Sequence, residues 1–283
     1  MPVLRWEARL GDVSPPQWFL TDEGRKNLKT IDLKPGETSL ELLARCGGYY
    51  ECPRGPDGKR VGPLVGYAGR DLRGRQYVGD VYANFAKAER HAPVLRFFGG
   101  RLHTLLTGTT NDLRELWGRS TGFCGAPEGG KALAEKLADL SNNQYIYPEK
   151  KVTVAATPDS REVAELVFDR HEPDKRDSWW IVEDVCNNFS TTGKLVTLIE
   201  SFGASVCGII CFLNRSLEIE KEFSPRPDLV LPVIALVRKP IPQYSQDDPA
   251  VKHDLDLGNI VWKPKNDWSK LADAMAQAKG TKP

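Results

Sequence analysis

With 283 residues, 40% of them hydrophobic and 27% charged, the chain can bury about three quarters of its unfolded surface, which excludes a disulfide-stapled miniprotein and a wholly disordered polypeptide. Lys and Arg number 39 against 38 Asp and Glu, a formal charge of +1, so no bulk field favours duplex DNA or an anionic membrane, and any anion site has to be local. No apolar run approaches the roughly 18 to 20 residues that span a bilayer, and the opening MPVLRWEARLGD carries acids where a signal peptide is apolar, so a soluble cytoplasmic protein is expected.

The first hundred residues are rich in Gly and Pro, with polar turns such as Pro53 to Lys59 between short aromatic stretches at Tyr49-Tyr50 and Tyr77 to Tyr82. They read as a small, irregular α+β unit. From about Asn111 the texture changes: NDLRELW predicts a short amphipathic helix, and after GFCGAPEGG the run KALAEKLADL sets Leu133, Leu137 and Leu140 at helical spacing. QYIY and SWWIVEDV predict strands, KLVTLIESF a helix ended by Gly203, and ASVCGIICFL and LVLPVIALV two buried strands. Such alternation predicts an α/β fold whose parallel sheet is covered on both faces. Val152 to Arg176 breaks the rhythm with polar, charged sequence around AELVF, as expected of a mobile loop over a site. The Pro-rich KPIPQYSQDDPA leads to DWSKLADAMAQA, a helix with Asp267 as its N-cap. Clusters such as Trp179-Trp180 and FFGGRL read as packing.

Six cysteines, Cys46, Cys52, Cys124, Cys186, Cys207 and Cys211, stand at irregular gaps, and His91, His103, His171 and His253 are scattered. Without paired CxxC spacing, reduced core thiols are expected rather than a zinc site. Period-two alternation puts Cys207 and Cys211 on one face of their strand.

Two turns each follow a strand and precede a helix, which aims backbone N–H groups and the positive end of a helix dipole at one point. The first, Gly125-Ala126-Pro127-Glu128-Gly129-Gly130, satisfies neither the GxGxxG of a dinucleotide fold nor the GK[ST] ending of a P-loop. A dinucleotide-binding oxidoreductase is the weakest reading for that reason. The second, Asn187-Asn188-Phe189-Ser190-Thr191-Thr192, comes directly after Ile181-Val182-Glu183-Asp184-Val185, where two acids terminate an apolar strand. Ligands of open parallel sheets bind beyond the carboxyl ends of the strands, so Glu183 and Asp184 are expected in the crevice beside that turn. Carboxylates accept from sugar hydroxyls while N–H and O–H donors hold phosphate, and together they describe a sugar-phosphate site. The alternative is that the two acids only solvate a strand end.

Here WWIVEDVCNNFSTT resembles the ribose-phosphate signature of the type I phosphoribosyltransferases: an apolar strand, two acids and a phosphate turn. GFCGAPEGGKALAEKLA is similar to that family's pyrophosphate loop, which places Gly125, Glu128, Gly129 and Gly130 there; YIYPEKK is similar to its next strand, with Lys150 and Lys151 as basic residues. FLNRS resembles the strand end that brings an arginine, here Arg215, to the base in the orotate-specific members. The resemblance implies a phosphoribosyltransferase-like sheet flanked by helices over 104–240, an N-terminal α+β hood for base recognition over 1–103, and a C-terminal extension with a terminal helix over 241–283. It implies that 5-phosphoribosyl 1-pyrophosphate and a nucleobase, an orotate-like pyrimidine first, are the partners, that Mg²⁺ is the cofactor, carried mainly on ligand oxygens, and that the chain forms a homodimer. Glu183, Asp184, Lys150 and Lys151 become catalytic, Asn187 to Thr192 phosphate-binding, and Arg215 base-binding. Lys59, Arg60 and Tyr77 are further base-site candidates, and Arg161 and His171 further candidates in the loop.

The chain departs from the family at the turn, with Asn187-Asn188-Phe189-Ser190 where Thr-Thr-Gly-Gly is usual. A side chain forced to positive φ there costs on the order of 1 kcal/mol. The loop also lacks the family's Lys-x-x-x-Lys-x-His-Gly run. Those departures motivate a second reading, a non-catalytic relative that binds the sugar phosphate or a nucleotide as a regulator.

Overall fold

A reciprocal capping box opens the first described helix, α1 (Ser39–Arg45): the Glu41 N–H donates to the Thr38 hydroxyl (3.2 Å) and the Thr38 N–H to the Glu41 carboxylate (2.9 Å). The computed structural model describes residues 31–108, 111–154, 163–218, 221–278 and 280. Four short strands follow α1, namely β1 (Tyr49–Glu51), β2 (Leu64–Arg70), β3 (Gln76–Gly79) and β4 (Val81–Ala83). β1 pairs antiparallel with β4, and β2 antiparallel with β3. Helices α2 (Ala86–Glu89), α3 (Ala92–Gly108) and α4 (Asn111–Arg119) lead into the core, which runs β5 (Gly122–Gly125), α5 (Gly130–Ser141), β6 (Gln144–Ile146), β7 (Glu149–Val154), β8 (Val163–Val167) and β9 (Ser178–Cys186). It continues through α6 (Ser190–Ser201), β10 (Ser205–Asn214), β11 (Glu222–Arg226) and β12 (Leu229–Arg238), and the chain ends with α7 (Pro249–Asp256), β13 (Ile260–Val261) and α8 (Trp268–Ala278).

Six strands form one sheet in the order β11-β12-β10-β9-β5-β6, parallel throughout except for the β11 edge. Both faces are covered, as the alternation of helix and strand predicts. On one, Ile181, Ile209 and Cys211 pack with Leu195, Val196 and Ile199 of α6. On the other, Phe212 of β10 meets Phe98 of α3 at 4.6 Å and Phe85 at 5.2 Å between ring centroids. Trp179 and Trp180 are buried, in line with a packing role. Along α5, Leu133, Ala134, Leu137 and Ala138 make the buried stripe and Leu140 is exposed, because it lies off the i, i+4 face.

Two expectations are corrected. All six cysteines are free, but Cys207 and Cys211 do not share a face: the ladder between β10 and β9 shifts register between Val206 and Gly208. The irregularity reverses the alternation, so Val206, Ile209 and Cys211 join one core cluster while the Cys207 thiol meets the Ser178 hydroxyl at 2.9 Å. The stretch expected as a mobile loop is flanked by structure. β7 and β8 form an antiparallel ladder from Glu149↔Val167 to Val154↔Val163, and all of AELVF but its final Phe168 lies on the returning strand. Residues 155–162, with Arg161, lie outside the described residues.

The segment after β12 folds back onto the first strands. β13 adds to β2 in parallel, pairing Ile260 with Leu64 and Val261 with Val65. Leu271 of α8 is fully buried in a cluster with Tyr50, Cys52, Val65, Tyr67 and Val261. Ion pairs reinforce the contact: Arg75 with Asp247 at 2.5 Å and Arg60 with Asp254 at 3.3 Å. α8 begins at Trp268, directly after Asp267, whose carboxylate pairs with Lys270 at 3.2 Å.

Candidate functional site

β9 ends centrally in the sheet, and its last residues stand between the two turns singled out in the sequence. Successive strand side chains point to opposite faces, and that parity divides the two acids. Asp184 lines a cavity of about 450 Å³ with Glu128, Gly129, Lys131 and Lys265, and also a larger one of about 780 Å³ with Asn187, Asn188, Ser190 and Thr191. Glu183 lines neither. It accepts a hydrogen bond of 2.5 Å from the Thr192 hydroxyl of α6. Burial pushes the Glu183 carboxyl up to about 7, with the Asp184 charge acting in the same direction and the Thr192 hydroxyl and Lys150 opposing it. Burial also raises the Asp184 carboxyl, against the Val185 N–H and the charges of Lys265 and Lys150.

The first turn closes over the end of β9. Ala126 N–H donates to Val182 C=O at 2.8 Å, and Gly130 N–H to Ala126 C=O at 2.9 Å; the Pro127–Glu128 peptide is cis. A methyl group on Gly129 would overlap the Asp184 carboxylate, and one on Gly130 the Val182 carbonyl, so these two positions keep backbone N–H groups against the strand end where any side chain would stand in the way. Gly125 has the same relation to the backbone of Lys131, whose Cα an added methyl would meet at 2.7 Å.

In the second turn the missing glycine is replaced by Phe189, at φ 57° and ψ 20°. Its ring is 3% exposed, stacks on Phe223 at 5.0 Å and belongs to the core under α6. Burying the ring offsets the backbone cost and leaves the cavity clear of it. Four of the six turn residues, Asn187, Asn188, Ser190 and Thr191, line the larger cavity; Phe189 and Thr192 face inward. The Ser190 N–H is met by the Asn188 side chain at 3.2 Å, while the following N–H groups of α6 lie in its first turn, where a helix leaves donors unpaired.

Arg215 directly follows β10, its N–H donating to Cys186 C=O at 2.9 Å and its C=O accepting from Ile241 N–H at 3.1 Å. The side chain is only 7% exposed, lies 4.0 Å over the Tyr67 ring and lines the larger cavity. Its Nε and Nη2 are buried without a hydrogen-bond partner among the described residues. Buried guanidinium donors without acceptors are costly and mark a place where a ligand's oxygens fit.

The remaining candidates are dispersed. Lys150 and Lys151 are exposed on β7 and line neither cavity, although the charge of Lys150 acts on both acids. Tyr77 lines the larger cavity. Arg60 is engaged with Asp80, Asp254 and the Ala250 carbonyl, Lys59 pairs with Asp57 at 3.6 Å, and His171 packs edge-on to Tyr147. Sequence reasoning missed Gln76, Gln243, Trp262, Lys263 and Lys265, which come from the first strands and the C-terminal segment and also line the larger cavity. No local pattern marks them, because only tertiary pairing brings them there.

No protein-family model matches the chain, and no curated protein matches it. Solved structures do. Orotate phosphoribosyltransferase from Aeropyrum pernix is similar at 18% identity and a TM-score of 0.47, over 77% of this chain and 97% of that one. Leishmania donovani UMP synthase is similar at 13% identity and a TM-score of 0.45, over 86% of this chain and 42% of that one. Adenine phosphoribosyltransferase from Trypanosoma brucei, solved with AMP, pyrophosphate and ribose-5-phosphate, is similar at 13% identity and a TM-score of 0.44, over 73% and 81%. Among the described residues no helix is long and apolar enough to cross a membrane.

Proposed function

We propose that this protein is a phosphoribosyltransferase that transfers the phosphoribosyl group of 5-phosphoribosyl 1-pyrophosphate to a nitrogenous base, an orotate-like pyrimidine, and releases pyrophosphate. The observation that carries the reading is Asp184, which lines two adjoining cavities, one walled by the Glu128–Gly129 turn and the other by the turn opening α6. In this reading Asp184 accepts hydrogen bonds from the ribose hydroxyls. Asn187, Asn188, Ser190 and Thr191 with the first N–H groups of α6 hold the 5-phosphate, as helix N-termini hold anions. The Gly125–Gly130 loop holds the pyrophosphate.

In the reaction the C1′–O bond breaks with its electron pair passing to the pyrophosphate oxygen, and a lone pair of the base nitrogen forms the C1′–N bond; the N–H proton goes to solvent. Positive charge builds on the ring, and Asp184 at its hydroxyls favours it electrostatically. The carboxylates lining the smaller cavity, Glu89, Glu128, Glu135 and Asp184, are oxygen donors that suit a hard cation, and among the described residues no cluster of three or more ligating side chains encloses one. Mg²⁺ would fit this set with most of its ligands being oxygens of the substrate and water, and Asp184 and Glu128 are the residues that would hold it. When bound, it supplies charge neutralisation on the leaving pyrophosphate.

Arg215, with Nε and Nη2 buried and unpaired, supports a base rich in carbonyl or carboxylate oxygens. Because Phe189 leaves the cavity open, the ground for binding without turnover is weakened. Pyrophosphate release is measured with phosphoribosyl pyrophosphate, Mg²⁺ and, in turn, orotate, uracil, hypoxanthine, guanine and adenine. Turnover is expected with orotate, falling about 100-fold in Arg215→Gln, in keeping with the roughly 1.5–3 kcal/mol of a charged hydrogen bond; no release with any base overturns the reading. A homodimer belongs to the same proposal and is read from the solution mass.

A further inference from the structure

A leaving pyrophosphate carries several negative charges, and the cations near the Gly125–Gly130 loop are mostly committed elsewhere. Lys131, at the start of α5, pairs with Glu128 at 3.0 Å and Glu149 at 3.1 Å. Lys150 and Lys151 line neither cavity. Arg215 lies over Tyr67 in the larger cavity alone.

Lys265 differs on each count. It lines both cavities, which among the described charged residues only Asp184 also does. Its side chain is exposed and makes no hydrogen bond or ion pair with the described residues. Its charge acts on Asp184 and on Glu89, two acids of the smaller cavity.

The backbone that carries it is held in place. β13 is laddered to β2, and the Leu64 N–H donates to Asn259 C=O at 3.0 Å. Gly66 lets the chain approach closely, since a methyl group there would meet the Trp262 carbonyl oxygen at 2.9 Å. Pro264 is buried, and a turn in which Asn266 and Asp267 N–H both donate to Lys263 C=O, at 2.9 and 3.0 Å, joins the strand to α8. The ammonium is thus presented at the junction of the cavities by a short segment fixed at both ends.

We propose that Lys265 is a pyrophosphate-binding residue of this site, delivered in cis by the turn between β13 and α8 and serving the leaving-group charge from within the cavities, which the exposed lysines of β7 do not line. The inference rests on the phosphoribosyltransferase reading and adds to it a residue far from the motif. As the C1′–O bond breaks, its electron pair localises on the pyrophosphate oxygen, and the Lys265 ammonium stabilises that charge by a charge-assisted hydrogen bond.

The test measures binding of two probes by calorimetry, inorganic pyrophosphate with Mg²⁺ and ribose 5-phosphate, to the full chain and to Lys265→Met, Lys265→Arg and Lys270→Met. Lys270 is an exposed residue of α8 and controls for net charge. Lys265→Met is expected to weaken pyrophosphate at least tenfold and ribose 5-phosphate less than threefold; Lys265→Arg restores most of the loss, and Lys270→Met changes neither. Unchanged pyrophosphate affinity in Lys265→Met, or an equal loss of both probes, overturns this assignment while the wider reading stands. A wild-type chain that binds neither probe overturns both.

Discussion

Glu183 and Asp184 are neighbours in sequence with different surroundings, and the difference is measurable. Glu183 is held against α6 by Thr192, and its carboxyl is raised to about 7 chiefly by burial. Between the ordinary glutamate range and that value the folded protein keeps a proton that the unfolded chain has released. Stability therefore falls as pH rises through this window, and the loss is complete above about 7. Glu183→Gln keeps an acceptor for the Thr192 hydroxyl and removes the titration. It is expected to raise the midpoint of thermal unfolding at pH 8 by roughly 2–4 °C, the equivalent of about 1 kcal/mol for a chain of this size, and to leave it unchanged at pH 4, as followed by circular dichroism. A pair of acids at a strand end was legible in the sequence, and so was Arg215. The division of labour between the acids was legible in principle too, since alternation sends adjacent side chains to opposite faces.

Among the elements, the turn before α6 departs most from what its sequence suggests. Asn187 to Ser190 lacks the glycines that such a turn favours, yet the chain keeps the left-handed residue and places a phenylalanine in it. Phe189→Gly relieves about 1 kcal/mol of backbone cost but removes a ring buried against Phe223, a loss of about 3–5 kcal/mol for a buried phenylalanine. The variant is expected to be about 2–4 kcal/mol less stable in urea denaturation, and a stabilised variant would show that the ring does not anchor the turn. The central strands and helices were readable because their periodicities are long and clean. The β7–β8 ladder was not, because AELVF is a short apolar run between charges and reads equally as part of a loop. A register shift of one residue reversed the expected face of Cys207 for a similar reason, since nothing local announces it.

At the scale of the molecule, the sheet and its helices follow from local pattern, whereas the junction of first and last strands does not. The hydrogen bond from Asn259 to the Gly62 carbonyl spans 197 residues, and contacts of that separation leave no trace in a window of a dozen residues. Deleting residues 260–283 removes β13 and Leu271 from the cluster around Val65, Tyr50 and Tyr67, uncovering aromatic surface on a small sheet. The shortened chain is expected to aggregate or to lose its near-ultraviolet circular dichroism, and a soluble chain with native signal would show the earlier strands to be self-sufficient. The same junction bears on biosynthesis. A nascent polypeptide can assemble its central sheet early, but the hollow above that sheet stays unwalled until the ribosome has passed Lys265, so competence to hold a ligand arrives late, well after the motif that suggests it has been translated.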